Sequence, residues 1–407
     1  MRVLVLSDLY PPATRGGYEV ECHDVVEHLR ERHDVVVLTS DWGRERVDPD
    51  PAVLRELPWT GEGTRRETLT APLASARAAR VARRTLARVW PEVIYVWNAG
   101  GVPATALRAL QLDGAPMLVR VCEYWFGHVY EGDQFTRHLH QTQPGVKGLW
   151  DRGMRALGHH PLLRVDPWDP RPAAVSWNSA FVRDAAPPPP AFDVVHGEVI
   201  HPSNARMAEL ERGVARAPED GRVLFVGRLE ERKGAWVVVE ALGILEREHG
   251  IRASLRIAGD GTAAEREDLA RRAAAAGVAD RVSFAGAVRG DAFTAEVAAA
   301  SAWCVPSVWD EPAGMTCVEA ALCRVPAVLS RVGGIPELFA DETQALFHDR
   351  GDAAGCAAAL ARTLAGGPEV DARVAAAFAR GRELSFGPYL AAMDRFFDAG
   401  LAALARP

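Results

Sequence analysis

The sequence lacks any paired-cysteine motif. Its six cysteines, Cys22, Cys122, Cys304, Cys317, Cys323 and Cys356, form no CxxC pair and no zinc-finger spacing. That excludes a disulfide scaffold and leaves reduced thiols that fill cores. It lacks any uncharged apolar run approaching the roughly 18 residues of a spanning helix. The opening apolar stretch ends at Ser7-Asp8, too short for a secretory leader, so a cytoplasmic protein is expected. Positive charge is not in excess: the net charge is −7, which argues against nucleic acid as a partner. There is no GxGxxG, so a nicotinamide cofactor is not indicated. Nor do the residues suggest a metal cluster or a glycosidase-like carboxylate pair.

What is present is an ordinary globular composition, 48% hydrophobic and 25% charged over 407 residues. At roughly 150 residues per domain, two domains are expected. Val3–Leu6, Val35–Leu38, Val93–Val96, Met117–Val121 and Ala173–Ser176 read as strands, with a helix near Ala180. The continuous apolar run Val3–Leu6 suits a strand buried on both faces of a parallel sheet. The opening Arg2-Val3-Leu4-Val5-Leu6 is echoed by Arg222-Val223-Leu224-Phe225-Val226, each starting a strand–loop–helix unit. Short runs Leu255–Ala258, Val282–Ala285, Trp303–Pro306 and Ala327–Leu329 follow, separated by alanine-rich helical stretches. Strands alternating with helices in two halves predict two doubly wound α/β domains, with ligands beyond the carboxyl ends of the strands in a cleft between the halves.

The run Pro187–Pro190, the strand-like Val194–Ile200 and the polar stretch Pro202–Asp220 lie between the halves. A boundary is placed around 202–220, giving domains 1–203 and 204–385 and a C-terminal helical segment 386–407. Within that segment Pro388–Ala405 is amphipathic, with Leu390, Met393, Phe396, Phe397, Leu401 and Leu404.

Three stretches carry chemistry. Gly16 and Gly17 stand just before a helix, where backbone N–H groups and the helix dipole suit an anion, although a simple turn explains them equally well. Gly227-Arg228-Leu229-Glu230-Glu231-Arg232-Lys233-Gly234 follows a strand. Arg228 and Lys233 can there clamp a diphosphate, against the plainer reading of a solvated loop. In Glu311-Pro312-Ala313-Gly314-Met315-Thr316-Cys317-Val318-Glu319-Ala320, Glu311 is expected before a helix and Glu319 about two turns inside it. The free N–H groups of Ala313, Gly314, Met315 and Thr316 would share that space. Glu311 alone is explained by the helix dipole. Glu319 sits among apolar neighbours and needs a partner.

The run EPAGMTCVEA resembles the EPFGxxxxEA motif of family-4 retaining glycosyltransferases, which have the GT-B fold. The resemblance covers nearly the whole chain. It includes the glycine loop, Gly227-Arg228 to Lys233-Gly234, Gly259-Asp260-Gly261 and Val332-Gly333-Gly334-Ile335-Pro336-Glu337 in the family's order. It implies two Rossmann-like domains facing across a cleft and a nucleotide diphosphate sugar (UDP-, GDP- or dTDP-) as donor. No metal and no permanently bound cofactor are required. Arg228 and Lys233 would bind the diphosphate and stabilise it as it leaves. Glu319 would hold the ribose, and Glu311 the transferred sugar. N–H groups near Gly16, Gly17 and Gly227 and from Ala313 to Thr316 would contact phosphate or sugar. The loop Ala285–Val288, with Ala287, would border the base, and the last helix would cross back onto the first domain.

Where many relatives carry His-Asp-Tyr-Trp, this chain has Cys122-Glu123-Tyr124-Trp125. A thiol cannot replace imidazole there. Glu123, Tyr124 and Trp125 are candidates for acceptor or sugar contact, with Glu123 equally readable as solvated. His128, His159 and His160 fall in a segment expected to line the acceptor side, and none is promoted. Arg77, Arg80, Arg83, Arg84 and Arg88 recur in Ala71–Val89. Weak peripheral membrane contact is one reading; an ordinary crossover helix is favoured, because the apolar residues there are small. The expected activity is sugar transfer with retention to a hydroxyl or amine, in bacterial natural-product, polysaccharide or glycolipid synthesis. The alternatives are a nucleotide-sugar epimerase or hydrolase and a silent nucleotide-sugar-binding protein. Oligomeric state is not legible.

Overall fold

The computed structural model describes residues 1–44, 50–140, 145–158 and 169–405. His159 and His160 therefore lie outside the described residues. The chain divides into two compact units, residues 1–200 with 390–407, and residues 201–389.

The first unit runs β1 (Arg2–Ser7), α1 (Tyr18–Arg30), β2 (Asp34–Ser40), β3 (Val53–Leu57), α2 (Arg65–Val89), β4 (Val93–Asn98), α3 (Ala104–Gln111) and β5 (Met117–Val121). It continues through α4 (Trp125–His128), α5 (Arg137–His140), α6 (Gly145–Gly158), β6 (Arg171–Trp177), α7 (Ala180–Ala185) and β7 (Phe192–Val199). The seven strands lie in the order β3-β2-β1-β4-β5-β6-β7, and every neighbouring pair is parallel. Val3, Leu4, Val5 and Leu6 are wholly buried, as helices on both faces of a parallel sheet require.

The second unit contains α8 (Ala205–Glu211), β8 (Arg222–Val226), α9 (Ala235–His249), β9 (Ser254–Ala258), α10 (Ala263–Ala275), β10 (Val282–Gly286) and α11 (Gly290–Ala299). Then come β11 (Ala302–Val305), α12 (Met315–Leu322), β12 (Ala327–Ser330), β13 (Leu346–His348), α13 (Ala353–Leu364) and α14 (Pro368–Glu383). Its six strands lie in the order β10-β9-β8-β11-β12-β13, again with parallel neighbours throughout. The last helix, α15 (Phe386–Leu404), places Met393, Phe396 and Phe397 in the interior. Within the first unit, Phe397 stacks on His33 and Phe396 on His196.

Several expectations shift. The unit boundary falls at 200/201 rather than within 202–220. Pro187–Pro190 leads into β7, inside the first unit, so the proline run is a loop between a helix and a strand. The stretch read as polar linker holds α8. The short strands β3 and β13 were not separately recognised. The exposed face of α2 carries Leu69 and Leu73, each more than 70% exposed, so its apolar residues are not uniformly small. Arg77 donates to Asp41 and Arg88 lies 3.7 Å from Glu56.

In each sheet the strand order reverses beside the first strand of the unit, between β1 and β4 and between β8 and β11. A crevice opens at such a switch point beyond the carboxyl ends of the strands. The loops that follow these four strands carry most of the residues considered next.

Candidate functional site

In the second unit the loop after β8 holds Gly227 to Gly234, and the loop after β11 holds Pro306 to Gly314. Lys233 Nζ donates to Glu311 Oε1 at 2.7 Å, and Ser307 Oγ donates to the same oxygen at 2.6 Å. Glu311 is 7% exposed. A carboxylate offers about four acceptor directions, so these two donors do not exhaust it. Arg228 Nη1 lies 2.5 Å from Glu230, with its side chain half exposed. The guanidinium of Arg232 stacks 4.3 Å from the Trp309 ring centroid, with Lys233 Nζ at 5.4 Å. The two sequence-distant loops thus meet through the Lys233–Glu311 pair and the Trp309 indole, while Arg228 and Arg232 both pair with Glu230 of their own loop.

The loops are fastened by backbone. Val308 N–H donates to Arg232 O at 2.9 Å, and Gly334 N–H to Glu311 O at 2.8 Å. Gly234 has φ +74° and a Cβ there would stand 2.0 Å from Pro306 O; Gly333 has φ +54° and a Cβ would stand 2.1 Å from Glu311 O. Both positions therefore need glycine for the left-handed backbone and for the close approach.

The helix α12 begins at Met315, capped by Gly314 with φ +77°. It starts later than expected, because Pro312 and Ala313 remain in the loop. Glu319 is consequently its fifth residue, one turn inside rather than two. The N–H groups of Met315 and Thr316 fall in the first turn, where no helix carbonyl is available to them. Glu319 is 6% exposed, and burial pushes its carboxyl above the usual range, opposed by the charge of Arg206. Arg206 Nη1 stands 3.7 Å from Glu319, and its guanidinium lies 3.9 Å from the Phe293 ring centroid. Ala287 is exposed directly after β10. Gly227 N–H donates to Ala258 O and Gly259 N–H to Gly286 O, which ties the loops after β8, β9 and β10 together.

The first unit places its candidates differently. Gly17 caps α1, but the Gly16 and Arg15 N–H groups donate to the Glu19 carboxylate at 2.9 and 2.8 Å. The anion held by the glycine loop is the chain's own. Asp8, 3% exposed, accepts from Tyr18 Oη, Gly101 N–H and Leu9 N–H. Burial raises its carboxyl to about 6. Cys122 is interior, its thiol directed at Glu21 at 3.7 Å, and burial pushes that thiol well above its ordinary range. Glu21 in turn accepts from the fully buried Arg120 at 2.7 Å. Glu123 is exposed, and Tyr124 meets Phe181 edge-on. Trp125 and His128 line a pocket of about 180 Å³ with Gly100, Asp133 and Gln134. The buried indole N–H of Trp125 has no partner among the described residues.

Sequence reasoning missed Ser307, Arg206 and Asp8. Ser307 stands four residues before Glu311, a spacing that could have flagged it. Arg206 lay in a stretch read as linker, and nothing local marks it.

Comparison with known proteins fits this geometry. Residues 207–379, most of the second unit, match the family described as Glycosyl transferases group 1, which supports glycosyltransferase as the enzyme class. The chain is 28% identical over 394 residues to a glycogen synthase of Mycobacterium tuberculosis, covering 89% of this chain and 86% of that one. It is 29% identical over 380 residues to an alpha-maltose-1-phosphate synthase of the same organism, covering 89% of each. The crystal structure of Anabaena HepE in complex with UDP superimposes with a TM-score of 0.65 at 19% identity, over 98% of this chain and all of that one. The likeness to HepE establishes the architecture, two parallel-sheet α/β domains of the GT-B type.

Proposed function

We propose that the chain is a retaining, metal-independent glycosyltransferase of family 4. It moves a sugar from a nucleoside diphosphate sugar to an acceptor hydroxyl or amine, in the cytoplasm. The observation that carries this reading is the Lys233–Glu311–Ser307 cluster beside the start of α12. It unites an ammonium, a carboxylate and free helix N–H groups, which are what a diphosphate joined to a hydroxyl-rich ring needs.

In this reading Arg228 and Lys233 take the diphosphate and stabilise its charge as the glycosidic bond breaks. Lys233 exchanges part of its contact with Glu311 for phosphate, freeing Glu311 for sugar hydroxyls. Met315 and Thr316 N–H groups, with Gly314 and Ala313 shaping the turn, hold phosphate or sugar oxygens. Glu319, kept in place by Arg206, accepts from ribose hydroxyls. Gly227 allows close approach, and Ala287 borders the base. Glu123, Tyr124 and Trp125 are assigned to acceptor or sugar contact; the unpartnered Trp125 N–H beside its pocket supports that assignment. Gly16 and Gly17 are assigned to phosphate on the condition that Glu19 releases the loop. The acceptor attacks from the face the diphosphate leaves, and a donor phosphate oxygen takes its proton.

HepE is crystallised with UDP, so UDP sugars are the first donors to test. A thermal-shift screen of nucleotide sugars decides the donor. A ligand at 100 times its Kd adds about 2.7 kcal/mol to native stability, and product analysis then separates transfer from hydrolysis or epimerisation. Absence of any stabilising nucleotide sugar overturns the reading. Binding without a glycoside product replaces it with a silent binding protein.

A further inference from the structure

Away from this site, β11, β13 and α13 bring Cys304, His348 and Cys356 together in the second unit. One ligand atom from each lies within 4.8 Å of the others. The residues are 1%, 3% and 0% exposed, in an interior shared with Val328, Leu346, Ala357 and Leu360. The two sulfurs are 3.7 Å apart. At a zinc–sulfur distance of about 2.3 Å, two thiolates on tetrahedral directions stand roughly 3.8 Å apart. The sulfurs are therefore already at the spacing a bound ion sets.

His348 supplies the second observation. Its Nδ1 lies 2.9 Å from Asp349 O. A carbonyl only accepts, so Nδ1 carries the proton and Nε2 the lone pair. Nε2 is buried without a partner among the described residues. An Nδ1–H held by a backbone carbonyl, with the other nitrogen left free, is how a metal-bound imidazole is fixed in its tautomer. A disulfide between the two cysteines would leave that nitrogen unmet.

We propose that Cys304, Cys356 and His348 form a binding site for one divalent, thiophilic cation of the zinc class. Charge selects the ion. Two thiolates and a neutral imidazole around a divalent ion sum to zero, whereas a monovalent ion leaves a net negative charge in an apolar interior. Binding releases two thiol protons as two metal–sulfur bonds form. His348 closes to roughly 3.5 Å from the sulfurs, the tetrahedral nitrogen–sulfur edge. The ion then joins α13 to β11 and β13. Cys304 is three residues before Ser307, so the strand it holds is the one that leads into the Ser307–Glu311 loop. This site is independent of the proposed sugar transfer.

The test uses the full chain, stripped with a chelator and then exposed to Zn²⁺ or Co²⁺ alone. A second sample is produced with Zn²⁺ in the growth medium, so that a site closed after folding is also read. Native mass spectrometry should find one Zn²⁺ per chain. Co²⁺ should give thiolate-to-metal charge-transfer bands, with two protons released per ion. C304S and C356S should each remove one sulfur's share of the charge-transfer intensity and weaken Zn²⁺ at least tenfold. H348A should weaken Zn²⁺ while keeping both thiolate contributions. A wild-type chain with no stoichiometric Zn²⁺ in either sample overturns the proposal, whatever the variants do. So does binding unchanged in a folded C304S/C356S double variant.

Discussion

At the switch point of the first sheet and nearby, the chain buries three carboxylates, Asp8, Glu19 and Glu21, of which Glu21 pairs with the interior Arg120. At that of the second, Arg228, Arg232 and Lys233 crowd a loop with side chains 22–50% exposed. The topology is the same and the chemistry is opposite. In the first unit the glycine-loop donors are satisfied by Glu19, and burial is the main cause that raises the carboxyls of Asp8 and Glu19, with the charge of Glu19 adding to it at Asp8. In the second, Lys233 is satisfied by Glu311 only through contacts an incoming phosphate can replace. The difference shows how one scaffold divides its work: one half spends its polar groups on itself, while the other keeps them exchangeable. An anionic donor is therefore expected to meet the second unit's loop first.

Breaking that division should have its largest effect at Arg228. R228A should lower kcat/KM for the nucleotide sugar found by the donor screen roughly 10²–10³-fold, the loss expected for one transition-state donor. R15A, the nearest cation of the first unit's loop, should cost less than tenfold in the same assay. Equal losses would erase the contrast. Next is G333A. Its new Cβ has only backbone to displace, so chemical denaturation followed by far-UV circular dichroism should show a loss of roughly 3 kcal/mol in the second unit.

A smaller effect belongs to the first unit. Asp8 holds its proton to about pH 6 when folded, against 3.8 for an ordinary Asp carboxyl. Its protonated form is thus favoured by folding. The stability this gives is complete below pH 3.8 and lost as pH rises through about 6. Between those values the wild-type chain should lose on the order of 2–3 kcal/mol relative to D8N. Urea unfolding at half-unit pH steps reads the difference, and parallel profiles would remove Asp8 as its source. The smallest effect is S307A. Losing one donor to Glu311 should raise KM for the donor sugar a few-fold, about 1 kcal/mol, with kcat little changed.

Much of the fold was legible because burial writes itself locally. Val3–Leu6 is an unbroken apolar run whose strand character needs no distant partner. The strands β3 and β13 were not, since Val53–Leu57 is only partly buried and Leu346–His348 is three residues long. The Glu311–Glu319 segment was visible as a motif, with Glu311 in the loop before α12 and Glu319 one turn inside it. What stayed hidden is what depends on contact across the chain. Arg206 reaches Glu319 over more than a hundred residues, and Cys304, His348 and Cys356 meet only once three elements pack. The occupation of the Gly16 N–H by Glu19 was also hidden, because three-residue spacing before a helix fits a cap as readily as a vacant anion cradle.

The fastening of Gly234 against Pro306 O and of Gly333 against Glu311 O leaves no slack for a side chain. Anyone grafting a relative's specificity onto this scaffold should accordingly transplant residues 227–234, 306–316 and 332–337 as a single cassette. A chimera that swaps just one of the three would inherit mismatched seams, and its failure would report on the joinery rather than on the sugar.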